Sequence, residues 1–160
     1  MKNQKGFTLI ELLIVIAIIS ILAAVIYVAV DPARRLAEAR NAQRWSEVNA
    51  ILNSVLQYTV DNRGTMPANL TAVDTGTYVL GTGATCSTCT ATTTTGASPC
   101  VDLTSVLAPN YITSLPVDPS TGAAADSQYY VYRSAAGRIT VGACNPEVVA
   151  GTTPTVKVSR

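Results

Sequence analysis

Residues 7–30 read FTLIELLIVIAIISILAAVIYVAV, an apolar run of 24 residues with a single charge, Glu11. A helix of that length reaches about 36 Å and the hydrocarbon core of a bilayer is about 30 Å thick, so the run predicts a transmembrane helix. It is longer than the apolar region of a cleaved secretory signal, which is about 7 to 15 residues. An ionised carboxylate costs roughly 3 kcal/mol at the centre of a membrane helix. We therefore expect Glu11 to have a partner.

A short basic leader, MKNQKG, occupies residues 1–6 directly before this run. The leader ending in Gly6, the Phe7 that follows and the glutamate at position 11 resemble the class III leader and mature N-terminus of type IV pilins and of the pseudopilins of type II secretion. The resemblance implies cleavage between Gly6 and Phe7 by a prepilin peptidase, followed by N-methylation of Phe7. It also implies that Glu11 meets the N-terminal amine of a neighbouring subunit in a filament.

The charges near the cleavage point support the same interpretation. Cleavage after Gly6 creates an amine, largely protonated near neutral pH, four residues before Glu11. Within one helix the two groups are offset along the axis, so we predict that they pair between axially staggered subunits. A signal anchor whose Glu11 lies near the lipid headgroups is the alternative. That alternative explains the glutamate but not the Gly6-Phe7 junction.

Composition argues against enzymatic function. The chain has 160 residues, a formal charge of +1 and no histidine. It also lacks a Walker-type loop, a Gly-x-Ser-x-Gly motif and a dense cluster of acidic residues, which are the usual routes to phosphoryl transfer or hydrolysis. We predict no catalytic residue, no metal and no cofactor.

Residues 31–63 predict an amphipathic continuation of the helix. Asp31-Pro32 either caps and restarts a helix or kinks a continuous one, because proline suits a first turn but removes a bond in mid-helix. The segment ends near Asp61-Asn62-Arg63-Gly64. Apolar residues and a threonine keep helical spacing along it: Leu36, Ala37, Val48, Ile51, Leu52, Val55, Leu56 and Thr59.

Arginines between positions 34 and 44 raise the question of nucleic-acid binding. Arg40 and Arg44 share a helix face, but Glu38 and Glu47 stand among the arginines at helical spacings. The sequence therefore favours a solvated or intersubunit face over a nucleic-acid site. For Trp45 we expect packing at the junction of helix and head.

A globular head is predicted over residues 64–160, beginning with a loop. The stretch 71–98 is rich in threonine and glycine and reads as an extended surface loop, in which 92–95 are candidates for O-linked glycan. Asn69-Leu70-Thr71 matches an N-glycosylation triplet, although a bare loop is favoured at both places.

Four cysteines lie in or beside the predicted loops of the head. With no histidine, zinc is disfavoured, and the Cys86-x-x-Cys89 pair lacks the context of a redox motif. We expect Cys86, Cys89, Cys100 and Cys144 to form two disulfides. Three connectivities remain open, with one bridge expected to close the loop to Cys100 and another to carry Cys144.

Sheet signals follow the loop. After a helical turn or two at 101–107, the stretch 111–119 resembles the Leu-Pro-x-Asp-Pro entry to the sheet of pilins and pseudopilins. Residues 129–132, 139–141 and 155–158 alternate as three strands. The predicted fold class is α+β and pilin-like: a long N-terminal helix with an apolar membrane half and an amphipathic half, packed on a small antiparallel sheet.

The resemblance implies a homo-oligomeric filament, a prepilin peptidase, and an inner-membrane assembly platform with an assembly ATPase acting indirectly. It implies a single-pass precursor in the cytoplasmic membrane with an extracytoplasmic head, then a pilus or a periplasmic pseudopilus. A pilin is favoured over a pseudopilin, because residues 120–125 replace the Trp-Gly-x-Pro-Tyr run of the major pseudopilin. Asp118 and Asp126 alone are too few ligands for its calcium. An anchored non-filament protein is the weaker alternative.

Overall fold

The computed structural model describes residues 6–71, 76–92 and 100–160, in two compact units, Met1–Leu36 and Ala37–Arg160. Leader residues 1–5 and candidate glycan positions 93–95 lie outside the described residues.

The first unit contains helix α1, Leu9–Val30. No glycine or proline interrupts this stretch, and Thr8 caps its first turn. None of its residues is buried within the isolated chain. Among the described residues, one helical stretch is long and apolar enough to cross a membrane, and it lies near the N-terminus. By length and composition, this apolar surface requires lipid or other helices around it.

Asp31 separates α1 from the second helix, α2, which spans Pro32–Asp61. The backbone of Asp31 takes a left-handed conformation, with φ at 43°, and this conformation ends α1. Its carboxylate then accepts the backbone N–H of Arg34 at 3.4 Å. Pro32 occupies the first position of α2, where a missing N–H costs no helical bond. Of the two possibilities left open by the sequence, the structure shows the capped restart.

In the second unit, α2 from Ala37 onward carries the head. The helix ends at Asp61, within the Asp61-Asn62-Arg63-Gly64 stretch where the sequence predicts its end. The Gly64 N–H donates to the Thr59 carbonyl at 2.8 Å, and Gly64 has φ at +89°. A glycine tolerates that conformation without steric cost and so terminates the helix.

The head sheet has four antiparallel strands in the order β1-β2-β3-β4. The strands are β1 Thr77–Val79, β2 Tyr129–Arg133, β3 Ile139–Ala143 and β4 Lys157–Ser159. Two single-turn helices, α3 Ala68–Thr71 and α4 Thr104–Leu107, connect to the sheet.

One core joins the sheet to α2. Its buried members are Val48, Ile51, Leu52, Val55, Leu70, Leu80, Val101, Leu103, Leu107, Tyr129, Val131, Ile139, Val141, Ala143 and Val156. The α2 positions among them recur at three- and four-residue spacing, and strand positions such as Val131 and Val141 pair across the sheet. At roughly 25 cal/mol per Å² of apolar surface, this burial is the main force that holds helix and sheet together.

The predicted α+β class with an antiparallel sheet is confirmed, with two corrections. The stretch 71–98 was predicted as loop throughout, yet residues 77–79 form an edge strand of the sheet, because their backbone pairs with β2. The sheet therefore has four strands instead of three. Leu36 was assigned to the helical apolar pattern but is exposed, while Arg44 is fully buried on the same helix.

Candidate functional site

Two polar groupings are candidates for function, one in each unit. The first is at the start of α1, where Thr8 and Glu11 form a capping box. The Thr8 backbone N–H donates to the Glu11 carboxylate at 3.0 Å, and the Thr8 hydroxyl donates to the same oxygen at 2.9 Å. The Glu11 N–H donates back to the Thr8 hydroxyl oxygen at 3.3 Å. Both side chains thus satisfy groups that a helix start leaves without partners.

The capping box changes the interpretation of Glu11. Its carboxylate has hydrogen-bond partners within its own chain. The signal was present in the sequence, because a threonine followed three residues later by glutamate before an apolar run is the capping-box pattern. Sequence reasoning noted the glutamate and missed its threonine.

Gly6 and Phe7 lie directly before this cap and are exposed, with the Phe7 residue 87% accessible. A Cβ added at Gly6 meets no atom of the described residues within 4 Å. Packing against the described residues therefore does not require a glycine at position 6. The cleavage predicted between Gly6 and Phe7, and the methylation of Phe7, stay predictions.

The second grouping, which we call the ion seam, consists of Arg40, Asn41, Arg44, Asp118 and Glu147. Arg44 is fully buried; its Nε lies 2.6 Å from Asp118 Oδ2, and its Nη2 lies 3.0 Å from Asp118 Oδ1. Arg40 donates two hydrogen bonds to the Glu147 carboxylate, from Nε to Oε1 at 2.6 Å and from Nη2 to Oε2 at 2.5 Å. Bidentate arginine pairs of this kind hold two segments in one orientation.

Glu147 and Asn41 tie the loop after β3 to α2. The Asn41 amide donates to the Glu147 carbonyl at 2.8 Å and accepts the Glu147 N–H at 3.0 Å. Arg44 Nη2 adds a contact of 3.1 Å to the Glu147 carboxylate. Two loops distant in sequence, one at Asp118 and one at Glu147, therefore converge on three residues of a single helix.

Ionisation in the ion seam follows from these contacts. Burial by itself raises the pKa of Asp118, but hydrogen bonds from Arg44 and Ser120 outweigh it and lower that pKa to about 2. The hydrogen bond from Arg40 lowers the pKa of Glu147. Burial opposes the charge of Arg44, yet its bonds to Asp118 and Glu147 raise its pKa overall. All the charges of the ion seam are therefore present at neutral pH.

The contacts of the ion seam differ from what the sequence predicted for Arg40 and Arg44. A solvated or intersubunit face was expected for Arg40 and Arg44, whereas the structure uses both within the head, because Asp118 and Glu147 lie opposite them. The sequence raised Asp118 as a possible calcium ligand, but its carboxylate accepts hydrogen bonds from Arg44. Among the described residues, no group of three or more acidic, histidine or cysteine side chains is placed to hold a metal.

The structure also shows the surroundings of Trp45 and of the N-glycosylation triplet. Trp45, expected to pack at the junction of helix and head, is 40% exposed. At the N-glycosylation triplet, the Asn69 side-chain amide donates to the Asp102 carbonyl at 2.5 Å. The nitrogen that would carry a glycan is thus engaged in the fold.

All four cysteines are paired. One disulfide joins Cys86 to Cys100 and the other joins Cys89 to Cys144. The neighbouring cysteines of the Cys86-x-x-Cys89 pair therefore have different partners. Cys89, Cys144 and Val79 pack with Tyr130 in a small apolar cluster apart from the main core.

The start of the chain carries a recognised motif. Residues 1–27 match the prokaryotic N-terminal methylation motif, which confirms the resemblance drawn from Gly6, Phe7 and Glu11 at the level of the motif.

The chain is also similar to the type IV wide pilus major component PilA4 of Thermus thermophilus, with 48% identity over 66 residues. That similarity covers 39% of this chain and 46% of the relative, so the chain spans about half the length of the curated relative it matches. No solved structure matches the chain.

Proposed function

We propose that this protein is a structural subunit of a type IV pilus-like filament. The observation that carries the proposal is helix α1, an apolar helix that follows the methylation motif and has no buried residue in the isolated chain. Such a surface is stable in a bilayer or among identical helices, and a filament subunit uses both environments in turn.

The proposal assigns roles along the chain. A prepilin peptidase cleaves between Gly6 and Phe7, and Phe7 is then N-methylated. Glu11 meets the amine of a neighbouring Phe7 in the filament, where opposite charges offset each other's desolvation. The precursor is anchored in the cytoplasmic membrane with the head outside, and an assembly platform and ATPase act on it. The chain acts as a building unit and not as an enzyme.

Deletion and complementation test the function. Cells without the gene should lack a class of surface filament, and the full chain should restore filaments that bind antibodies raised against its head, as seen by immunogold electron microscopy. Normal filaments in the deletion strain, together with loss of protein secretion, would assign the chain to a pseudopilus instead. If both phenotypes are absent, the chain is an anchored protein outside filaments.

A further inference from the structure

The face of the head sheet that points away from α2 carries a cleft of about 290 Å³. Side chains alternate along a strand, so the residues of β2 and β3 that enter the main core leave their neighbours on this outer face. All four strands contribute to the lining. We call it the sheet cleft, and the described residues that line it include Thr77, Tyr130, Tyr132, Thr140, Lys157 and Ser159.

Tyr130 is the most enclosed of these lining residues. It is 5% exposed and packs in the small apolar cluster with Val79 and the Cys89–Cys144 disulfide. The register places it opposite Gly142, and a Cβ added at Gly142 would lie 2.5 Å from Cζ and from the hydroxyl oxygen of Tyr130. The ring therefore carries its hydroxyl from β2 onto β3, and Gly142 of β3 pairs in turn with Lys157 of β4.

The Tyr130 hydroxyl has no hydrogen-bond partner among the residues that the structure describes. Burial alone raises the pKa of Tyr130, so the phenol is protonated at neutral pH and can donate as well as accept. An enclosed polar group without a partner is costly, and such groups in folded proteins call for an explanation. A molecule in the sheet cleft can supply the partner that the fold does not.

The other lining groups are a cation, hydroxyls and an exposed ring. Lys157 is exposed and forms no ion pair within the described part of the chain, and no described lining residue carries a carboxylate. The hydroxyls of Thr140 and Ser159 share a hydrogen bond of 2.7 Å. Tyr132, which pairs with Thr140 across the strands, adds an exposed aromatic ring.

This combination selects a class of ligand. Hydroxyls both donate and accept, as sugar hydroxyls do, and an aromatic face complements the C–H face of a pyranose ring. An ammonium complements a carboxylate. Ligand pockets range from about 300 to 1,000 Å³, so the sheet cleft suits a single sugar ring. A nucleic acid would require several cations along its backbone, whereas the described lining holds one.

We propose that the sheet cleft binds an acidic saccharide unit, such as a hexuronic acid of a polysaccharide. The carboxylate contacts Lys157, a ring hydroxyl contacts the Tyr130 hydroxyl, and the C–H face of the sugar lies against Tyr132. This site goes beyond the proposed filament role and does not depend on it, because every residue involved lies within one head.

Ligand-detected saturation-transfer NMR tests the site on the full chain, as unassembled subunits in phosphatidylcholine nanodiscs, with empty nanodiscs as blank. The probes are methyl β-D-glucuronide, its neutral counterpart methyl β-D-glucoside, and inorganic phosphate. We expect the glucuronide to bind on the order of tenfold more tightly than the glucoside, because the ammonium adds a charge-assisted bond. We expect phosphate not to displace it at equal concentration. Absence of glucuronide binding would overturn the proposal, and displacement by phosphate would reduce the sheet cleft to a general anion site.

Two variants assign the contacts. Lys157→Met should remove the preference for the glucuronide and leave glucoside affinity unchanged. Tyr130→Phe should weaken both sugars severalfold without lowering the thermal midpoint of the head, because the hydroxyl has no partner in the fold.

Matched controls are Arg138→Met, which removes an exposed charge outside the sheet cleft, and Tyr78→Phe, which removes a hydroxyl from the opposite face of the sheet. Both should bind the glucuronide as the native chain does. A lower thermal midpoint for Tyr130→Phe would assign its hydroxyl to the fold, and an unchanged preference in Lys157→Met would place the sugar elsewhere. Because the subunits are unassembled, either result stands whether or not the chain forms filaments.

Discussion

At the residue scale, two charged side chains, Glu11 and Arg44, each have hydrogen-bond partners within the chain. Glu11 lies in the first turn of α1, and its carboxylate accepts hydrogen bonds from Thr8. Arg44 is fully buried in the head and contacts two carboxylates, of Asp118 and Glu147. A buried charge is tolerated when opposite charge and hydrogen bonds replace water around it.

Substitution of Glu11 should separate membrane insertion from assembly. Glu11→Val should insert better, because it removes the one charge of the apolar run, yet it should enter filaments poorly, since the neighbouring amine loses its counter-charge. Glu11→Gln should fall between the two, because it accepts a hydrogen bond without neutralising the amine. Membrane fractionation and filament yield in cells lacking other copies measure the two effects. Assembly of Glu11→Val at the native level would show that the charge has no role.

Removing one partner of the buried Arg44–Asp118 pair should destabilise the head strongly. We expect Asp118→Ala to lower the free energy of unfolding by about 3 to 5 kcal/mol, because it leaves a buried guanidinium without its main partner. Arg138→Met, which removes an exposed charge, serves as control and should change it by less than about 0.5 kcal/mol. Chemical denaturation of the oxidised protein gives both values. A similar small change for both variants would mean that the pair is solvated.

At the scale of elements, α2 holds the head in two different ways. Its residues from Val48 onward bury apolar side chains against the sheet. The turn of α2 from Arg40 to Arg44 binds two loops through the ion seam. Between this turn and the apolar positions, the Glu47 carboxylate accepts a hydrogen bond from the Tyr129 hydroxyl. Apolar burial supplies most of the stability, while paired charges and their directional bonds determine where the loops lie.

Stability of the head should fall in acid through the ion seam. The folded-state pKa of Asp118 is about 2 against an ordinary value of 3.8, so its contribution is present above about pH 4 and is lost as the pH falls to about 2. The lowered pKa of Glu147 acts in the same direction. Thermal midpoints measured across this range should drop for the native protein and drop less for Asp118→Asn. Parallel curves for the two proteins would contradict the assignment.

The two disulfides should contribute unequally. Cys86 and Cys100 are 14 residues apart, whereas Cys89 and Cys144 are 55 apart. In the chain-entropy account, the two bridges stabilise by about 3 and about 4 kcal/mol, since closing the longer loop restricts the unfolded chain more. The paired serine variants should differ accordingly in denaturation, and thiol titration of native protein isolated without reductant should find no free cysteine. Free thiols at Cys86 and Cys89 would indicate redox or metal chemistry instead.

At the scale of the whole molecule, the chain combines an apolar helix that has no buried residue and a head whose described residues form a core. The helix can be satisfied only by lipid or by other chains. The head is stabilised internally by its sheet, its disulfides and the ion seam. Under the proposed function, the apolar helix serves anchoring and assembly, and the head folds independently of both.

Processing is the property of the whole chain that is most direct to measure. Mass spectrometry of assembled protein should find methylated Phe7 as its first residue. Gly6→Leu should retain the leader. A side chain at this position meets no atom of the described residues within 4 Å, so a processing defect would not arise from a clash with them. Phe7→Leu, which keeps Gly6, should still be cleaved. An intact Met1 in assembled filaments would contradict the prediction.

Local sequence patterns determined the long helix, a break or kink at Asp31-Pro32, the stop at Gly64 and strands β2 and β3, while the structure decided that Pro32 restarts the helix. Each depends on a few adjacent residues: an uninterrupted apolar run, a proline at a first turn, a glycine with positive φ, or alternation of period two. The even number of cysteines predicted disulfide bridges, but only the folded structure showed which cysteines pair. The capping box was equally local and was overlooked.

Only the tertiary structure decided the positions of Arg44 and β1. Arg44 lies 74 residues from Asp118 and 103 from Glu147, and on a helix it reads as an ordinary surface charge until those loops are placed against it. The strand at 77–79 forms because β2, some fifty residues later, supplies its hydrogen-bond partners. Burial of a charge and pairing of an edge strand depend on long-range neighbours, and for that physical reason local pattern does not reveal them.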